Sequence, residues 1–375
     1  MSCFGGVALP LFKGHTGVVR CVDVSPDGGR VVTCSDDRTA RINDAVSGKN
    51  IAVLEGHGGA VESCMFGPDG SRVVTTSADA TAMIWDAADG AKLLTLEGHA
   101  EKLEGAEYSP DGHLVATASE DRTARVWDAV TGESYGVLAG HEGGVTCCSF
   151  SPDGLRVITG SKDKTARVWD ARLDIEKLHL DGHARTITAC HYSRDGSRVV
   201  TGSWDCSVKL WCASTGKIEH TLEGHTKNVT CCVISRDGTV IVSASDDRTA
   251  IVWGASTGEV RHRIKGHKGA VTSCAISADH TRVVTGSADR TARVWDTSKY
   301  AVLHRKSLRA AKKADIKRVA AQEAAAEVPS ANLARTDPED RLWHPGRTWH
   351  RKYCEDDSLH TAKLWYDPED PNAKK

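Results

Sequence analysis

No uninterrupted apolar run in this sequence exceeds a few residues, well short of the ~20 that a membrane-spanning helix needs. The first residues, Met1 to Leu11, lack a basic cluster followed by a long apolar stretch, so no secretory signal is expected. Neither sign of charge dominates. Forty-eight basic against 50 acidic side chains leave a net charge of −2, which argues against gripping nucleic acid by bulk charge. Aromatic residues are scarce at 5%, with 4 Phe and 6 Tyr, yet 10 are Trp. The 13 cysteines include no Cys-x-x-Cys pair and no Cys/His set with zinc-finger spacing, so no metal or other cofactor is expected. Thiols without a metal or disulfide framework fit a reducing compartment, cytosol or nucleus. In excess is glycine, 35 residues, which implies many tight turns.

A length of 375 residues would ordinarily suggest two or three domains, but an internal repeat overrides that prior. Gly-His recurs at 14–15, 56–57, 98–99, 140–141, 182–183, 224–225 and 266–267, a constant step of 42. Twenty-eight residues after each histidine stand Asn43, Trp85, Trp127, Trp169, Trp211, Trp253 and Trp295. Six before each of these stand Asp37, Asp79, Asp121, Asp163, Asp205, Asp247 and Asp289. Each unit reads as short alternating segments, such as Val145 to Phe150, Arg156 to Thr159 and Ala166 to Trp169. Ser-Pro-Asp-Gly and Asp-containing turns bound them, marking strands rather than helices. Four strands per 42 residues, seven times over, is the arithmetic of a β-propeller.

The pattern Gly-His … Ser/Thr-x-x-x-Asp-x-x-x-x-x-Trp-Asp resembles the WD-repeat family over roughly residues 7–297. The resemblance implies an all-β, seven-bladed propeller of four-stranded blades spanning residues 1–297. It also implies that residues 7–12 supply the outer strand of the last blade, latching the ring. Within each blade it implies a buried chain running from indole to hydroxyl to imidazole to carboxylate. The expected sets are His57, Thr75, Asp79 and Trp85; His99, Thr117, Asp121 and Trp127; His141, Thr159, Asp163 and Trp169. The remaining sets are His183, Thr201, Asp205 and Trp211; His225, Ser243, Asp247 and Trp253; His267, Thr285, Asp289 and Trp295. Six equivalent sets point to structure, since an enzyme needs one site. No catalytic residue is therefore assigned, and a hydrolase lacks a unique His/Asp/Glu cluster. The first repeat departs from the rule, with Asn43 in the tryptophan position, and marks the expected weak point of the ring.

Function is then expected in residues that differ between repeats. By the family resemblance, the top face takes three positions per repeat: three and five after the histidine, and the one before the aspartate. Trp204 stands out there as a contact for a protein partner, with Arg20, Lys102, Glu104, Glu120, Lys162 and Asp246 as a rim of mixed sign. Mixed charge argues against a polyanion. The sequence Trp169-Asp170-Ala171-Arg172 resembles the motif by which some WD-repeat proteins dock on a cullin ubiquitin ligase adaptor, which would make Arg172 an adaptor contact.

After residue 297 the composition changes. Residues 298–328 are basic and Ala-rich, with eight basic side chains and one acidic between Lys299 and Arg318, and are expected to form a helix. Nucleic acid would be met, if anywhere, through this segment at 299–318. Residues 329–375 alternate aromatics with Asp-Pro-Glu-Asp. Trp343, Trp349 and Trp365 are expected to anchor this helical or extended tail on the propeller or on a partner. The whole is expected to be a non-enzymatic scaffold for a multiprotein complex. It would bind several proteins, no small-molecule substrate and no membrane, in cytoplasm or nucleus. The alternatives are a substrate receptor of a cullin-type ligase and a subunit of a ciliary or RNA-associated assembly.

Overall fold

The structure, a computed structural model, describes residues 11–12, 14–277, 281–297, 350–351 and 365–366. It falls into two compact units divided between Ala310 and Ala311. The first holds 28 strands in seven four-stranded antiparallel sheets. Strand β1 is Leu11–Phe12, and the first blade is β2 (Val19–Val24), β3 (Arg30–Ser35), β4 (Thr39–Asp44) and β5 (Asn50–Glu55), paired in that order. Five further blades repeat this meander. The last blade takes Val271–Ile276, Arg282–Ser287 and Ala292–Asp296, and β1 supplies its fourth strand. Leu11 and Phe12 pair with Arg293 and Ala292, so the ring closes by the first strand joining the last blade. Residues 7–10 of the expected latch lie outside the described residues.

The sequence dictates both strand and turn. Inner-sheet segments such as Val31-Val32-Thr33-Cys34 are buried on both faces, because each blade is covered by a neighbour on either side. Hence they read as apolar runs, whereas outer strands such as Ile218–Glu223 are mostly exposed, with Leu222 buried. The residue after each structural aspartate has a left-handed backbone, from Arg38 at φ 68° to Arg290 at φ 66°, although none is glycine. In every case the aspartate carboxylate bonds the amide two residues ahead, as Asp121 does with Thr123 at 3.0 Å, and clamps this tight turn.

Each inner strand carries one β-bulge at the same place. In β2 the register passes from Val19↔Ser35 to Cys21↔Cys34, leaving Arg20 unpaired. The equivalent bulged residues are Glu62, Glu104, Thr146, Thr188, Thr230 and Thr272. A bulge re-aims the extra side chain away from the alternating faces of the strand.

No described helix is long and apolar enough to cross a membrane. In the second unit His350–Arg351 pairs antiparallel with Trp365–Tyr366. The expected helix at 298–328 and the anchors Trp343 and Trp349 lie outside the described residues, as does the side chain of Trp365.

Candidate functional site: the rim and the axial channel

The recurrent polar residues meet inside the blades. In the second blade Trp85 Nε1 donates to Thr75 Oγ1 at 2.7 Å, and Thr75 Oγ1 lies 2.8 Å from His57 Nε2. His57 Nδ1 is 3.1 Å from Asp79 Oδ2, which also accepts the Gly58 amide at 2.8 Å. The same chain joins Trp127, Thr117, His99 and Asp121; Trp169, Thr159, His141 and Asp163; and Trp211, Thr201, His183 and Asp205. It also joins Trp253, Ser243, His225 and Asp247, and Trp295, Thr285, His267 and Asp289.

Every donor has an acceptor only if the imidazole is neutral and carries its proton on Nδ1. Burial lowers His57, His99, His141, His225 and His267 despite the adjacent carboxylate, in keeping with that tautomer. Burial pushes the aspartates the other way, but their hydrogen bonds win: Thr123 and His99 hold Asp121 down to about 2. In the first blade His15 still bridges Thr33 and Asp37, at 2.9 and 2.8 Å, with no indole behind the hydroxyl. Asn43 is buried and its Oδ1 accepts from Asn50 Nδ2 at 3.2 Å. These side chains are spent on one another. Among the described residues no group of three or more His, Cys, Asp or Glu is placed to hold a metal ion.

The rim divides in two. On the first four blades the variable residues make a charged arc of two ion-paired groups. Arg20 Nε bonds Asp36 at 2.6 Å and lies 3.7 Å from Glu62. Lys102 pairs with Glu104 at 2.8 Å and lies 3.7 Å from Glu120, which also pairs with Lys162 of the next blade. Burial and a hydrogen bond with Glu120 push the Glu104 carboxyl up to about 6. Pairs whose cation stands in solvent, as Arg20, Lys102 and Lys162 do, add little stability, so their arrangement bears on recognition more than on folding.

Trp204 follows Lys162 by one repeat and so takes the next place round the rim. Its side chain is 44% exposed, whereas the six blade tryptophans are largely buried. Its indole N–H has no hydrogen-bond partner among the described residues, and its backbone amide bonds Thr186. One repeat further on, Asp246 is half-buried, its backbone amide bonds Asn228, and its carboxylate makes no ion pair among the described residues.

The threonines of blades four to seven behave differently. Thr146, Thr188, Thr230 and Thr272, expected to line the rim, instead turn onto the next blade. They bond the carbonyls of Ile187, Val229, Val271 and Val19 at 2.5, 2.8, 2.6 and 2.6 Å. A short hydroxyl at the bulge reaches the neighbouring backbone, while a longer Arg or Glu overshoots it and faces outward. Asp36 and Glu62, one end of the arc, stand at rim positions but were not singled out as contacts from sequence, because their worth lies in partners 16 and 42 residues from Arg20.

Below the rim the seven inner strands enclose an axial cavity of about 710 Å³. Its wall includes Asp23, Met65, His191, Val233 and Ala275, all at one repeat position. Asp23 accepts the Phe66 amide at 2.8 Å, and Glu107, at the same position, accepts from Ser149 Oγ at 3.1 Å. Burial raises Asp23 to about 7 and Glu107 to about 8. Nδ1 of His191 is buried without a partner, and burial lowers this imidazole. Sequence reasoning missed these three groups. A comparison of that one position across repeats would have exposed them, since it holds Asp, Met, Glu, Ser, His, Val and Ala in turn.

Arg172 lies on the blade exterior, exposed, in the turn after buried Trp169. Its amide bonds Asp170 at 3.0 Å, its guanidinium forms no ion pair among the described residues, and Leu173 and Ile175 beside it are exposed.

No curated protein matches the chain. A profile of the WD domain, G-beta repeat, fits residues 6–44, 48–86, 90–128, 132–170, 176–212, 216–254 and 258–296. The chain therefore belongs to the WD40 family, whose propellers generally act as protein-interaction scaffolds and typically carry no catalytic centre.

Proposed function

We propose that this propeller is a non-enzymatic scaffold that captures a protein partner on the arc from Arg20 to Trp204, with the C-terminal tail giving a second contact. The observation that carries this reading is the rim itself. Four carboxylates and three cations pair in two groups across blades one to four, and an exposed tryptophan whose indole N–H has no hydrogen-bond partner among the described residues stands at their end. An aromatic beside a mixed-sign arc suits a protein surface with its own apolar contact and complementary charges, since Trp supplies interface energy and charge sets orientation. Cytoplasm or nucleus is the compartment that fits the free thiols.

The test is affinity purification with mass spectrometry on three chains: the full sequence, Trp204→Ala, and a chain stopped at Thr297. Trp204→Ala is expected to lower recovery of the principal partner at least tenfold while shifting the melting temperature by less than ~1 °C, as for surface changes away from packing. Undiminished recovery from Trp204→Ala would overturn the rim reading. Undiminished recovery from the shortened chain would remove the tail from it.

One observation favours a second reading, a substrate receptor on a cullin-type ligase. Arg172 is exposed, its guanidinium forms no ion pair among the described residues, and Leu173 beside it is exposed. Co-purification of the ligase adaptor that is lost in Arg172→Ala supports that reading. An adaptor absent from the full chain's partners rejects it.

A further inference from the structure

Three thiols converge at the seam between the first and second blades. Cys21 and Cys34 are opposite one another on β2 and β3, so their side chains leave the sheet on the same face. That face looks onto the inner strand of the second blade, Val61–Phe66. There Cys21 Sγ lies 3.7 Å from the Cys64 carbonyl oxygen, and Cys64 Sγ lies 3.7 Å from the Cys21 carbonyl oxygen. Two hydroxyls donate to the Cys21 sulfur: Ser63 from the second blade at 3.8 Å and Ser273 from the seventh at 3.6 Å. Cys21, Cys64, Ser63 and Ser273 all border the axial cavity. Cys21 thus lies deep in the molecule, in the wall of the cavity.

Hydrogen bonds from the Cys34 and Cys64 thiols, outweighing burial, hold Cys21 well below the ordinary thiol range. Burial pushes Cys34 and Cys64 well above it. Of the three sulfurs Cys21 is thus the one most disposed to ionise and its neighbours the least, the order that a nucleophile and a resolving thiol require.

We propose that Cys21 is a peroxide-reactive nucleophile of the axial channel and that Cys64 resolves it into a disulfide across the blade seam. The Cys21 thiolate attacks one oxygen of hydrogen peroxide, breaking the O–O bond, and gives a sulfenic acid and hydroxide. The Cys64 sulfur then attacks the sulfenic sulfur. An S–S bond forms, the S–O bond breaks, and the Cys64 proton leaves with the hydroxyl as water. Peroxide takes the two electrons that the two sulfurs lose. The cross-seam pairing recurs around the channel: Cys147 meets Cys190 between the fourth and fifth blades, and Cys231 Sγ lies 3.7 Å from the Cys274 carbonyl, where both residues border the cavity and the thiol of Cys274 holds Cys231 low. Cys232 supplies the internal control, because its sulfur faces the Ala189 carbonyl at 3.9 Å across its seam and meets no thiol there.

The test treats the reduced full chain with a few equivalents of hydrogen peroxide, blocks free thiols, and maps non-reduced peptides by mass spectrometry. A Cys21–Cys64 link is expected at doses that leave Cys232 reduced. In Cys64→Ser the sulfenic acid should persist on Cys21 and be trapped by dimedone. In Cys21→Ser both the link and the trapped adduct should vanish. Iodoacetamide should label Cys21 at pH 7 at least tenfold faster than Cys147, its repeat equivalent. A Cys21–Cys34 link in place of Cys21–Cys64 would overturn the assignment of the resolving thiol. Labelling of Cys21 no faster than Cys147, with no link formed before unfolding, would overturn the nucleophile. Both readings come from the unmutated chain and do not depend on a variant that folds.

Discussion

At the scale of single residues the blades test themselves, because one network is built six times with tryptophan and once without. Thr117 Oγ1 serves two partners, Trp127 Nε1 at 2.8 Å and His99 Nε2 at 2.8 Å, while Thr33 serves His15 alone. Replacing the hydroxyl by a methyl group strands every partner it leaves, at about 1–3 kcal/mol per buried polar group. Thr117→Val is therefore expected to lower the melting temperature clearly more than Thr33→Val, by calorimetry on the two variants. An equal drop would mean that the indole contributes only its bulk. The complementary change fills the gap. At Gly56, Gly98, Gly140, Gly182, Gly224 and Gly266 the added Cβ position would meet an indole ring, whereas at Gly14 it meets the guanidinium of Arg41. Asn43→Trp should displace that arginine, restore the indole donor to Thr33 and raise the melting temperature by ~2–4 °C. An unchanged or lower midpoint would show that the Asn43–Asn50 pair and Arg41 already fill the space.

At the scale of the strand, the inner-strand bulge decides whether a residue seals a seam or faces a partner. Where the bulged residue is threonine, it bonds the next blade; where it is Arg20, Glu62 or Glu104, it joins the charged arc. Glu104→Thr exchanges one role for the other. It removes a carboxyl that burial and Glu120 push up to about 6, and supplies a hydroxyl in the position that bonds Ile187 from Thr146. The variant is expected to melt higher than the parent by ~1–3 °C, consistent with a hydrogen bond worth about 1 kcal/mol, and to capture less partner. A lower midpoint would place Glu104 among the residues that hold the ring together.

The same scale shows what was readable beforehand. Strand count, turn positions and the in-blade networks were legible because a fixed step of 42 residues repeats both their apolar pattern and their polar residues. The division of the rim was not. It depends on a bulge, which shifts pairing by one residue without changing composition, and on whether a side chain spans the gap to a blade 41 residues away. The cysteines show the same limit. Cys64 shares its repeat position with Val22 and Ala106, which marks a small buried side chain, but its approach to Cys21 crosses a blade seam.

At the scale of the whole ring, two sets of titrating groups pull stability in opposite directions with pH. Six blade histidines, at 15, 57, 99, 141, 225 and 267, are lowered by burial, so the unfolded chain takes up protons first as pH falls below ~6.5. The aspartates add to this in more acid solution. Although burial pushes them up, hydrogen bonds hold Asp37, Asp121, Asp163 and Asp289 at about 2, and that contribution is lost as pH falls from ~4 through 2. The channel carboxyls act on the alkaline side. Burial raises Asp23 to about 7 and Glu107 to about 8, so the native state keeps protons that the unfolded chain has released above ~4. Their contribution is complete below ~4 and declines as pH rises through 7 and 8. Glu107→Gln removes one of these two protons from the balance while keeping an oxygen for the Ser149 hydroxyl. The variant should therefore melt several degrees above the parent at pH 9, where Glu107 is forced to ionise inside the ring, and level with it near pH 4.5. A difference that stays constant from pH 4.5 to 9 would mean that the carboxyl titrates as an ordinary surface acid and that the axial channel admits enough water to solvate it.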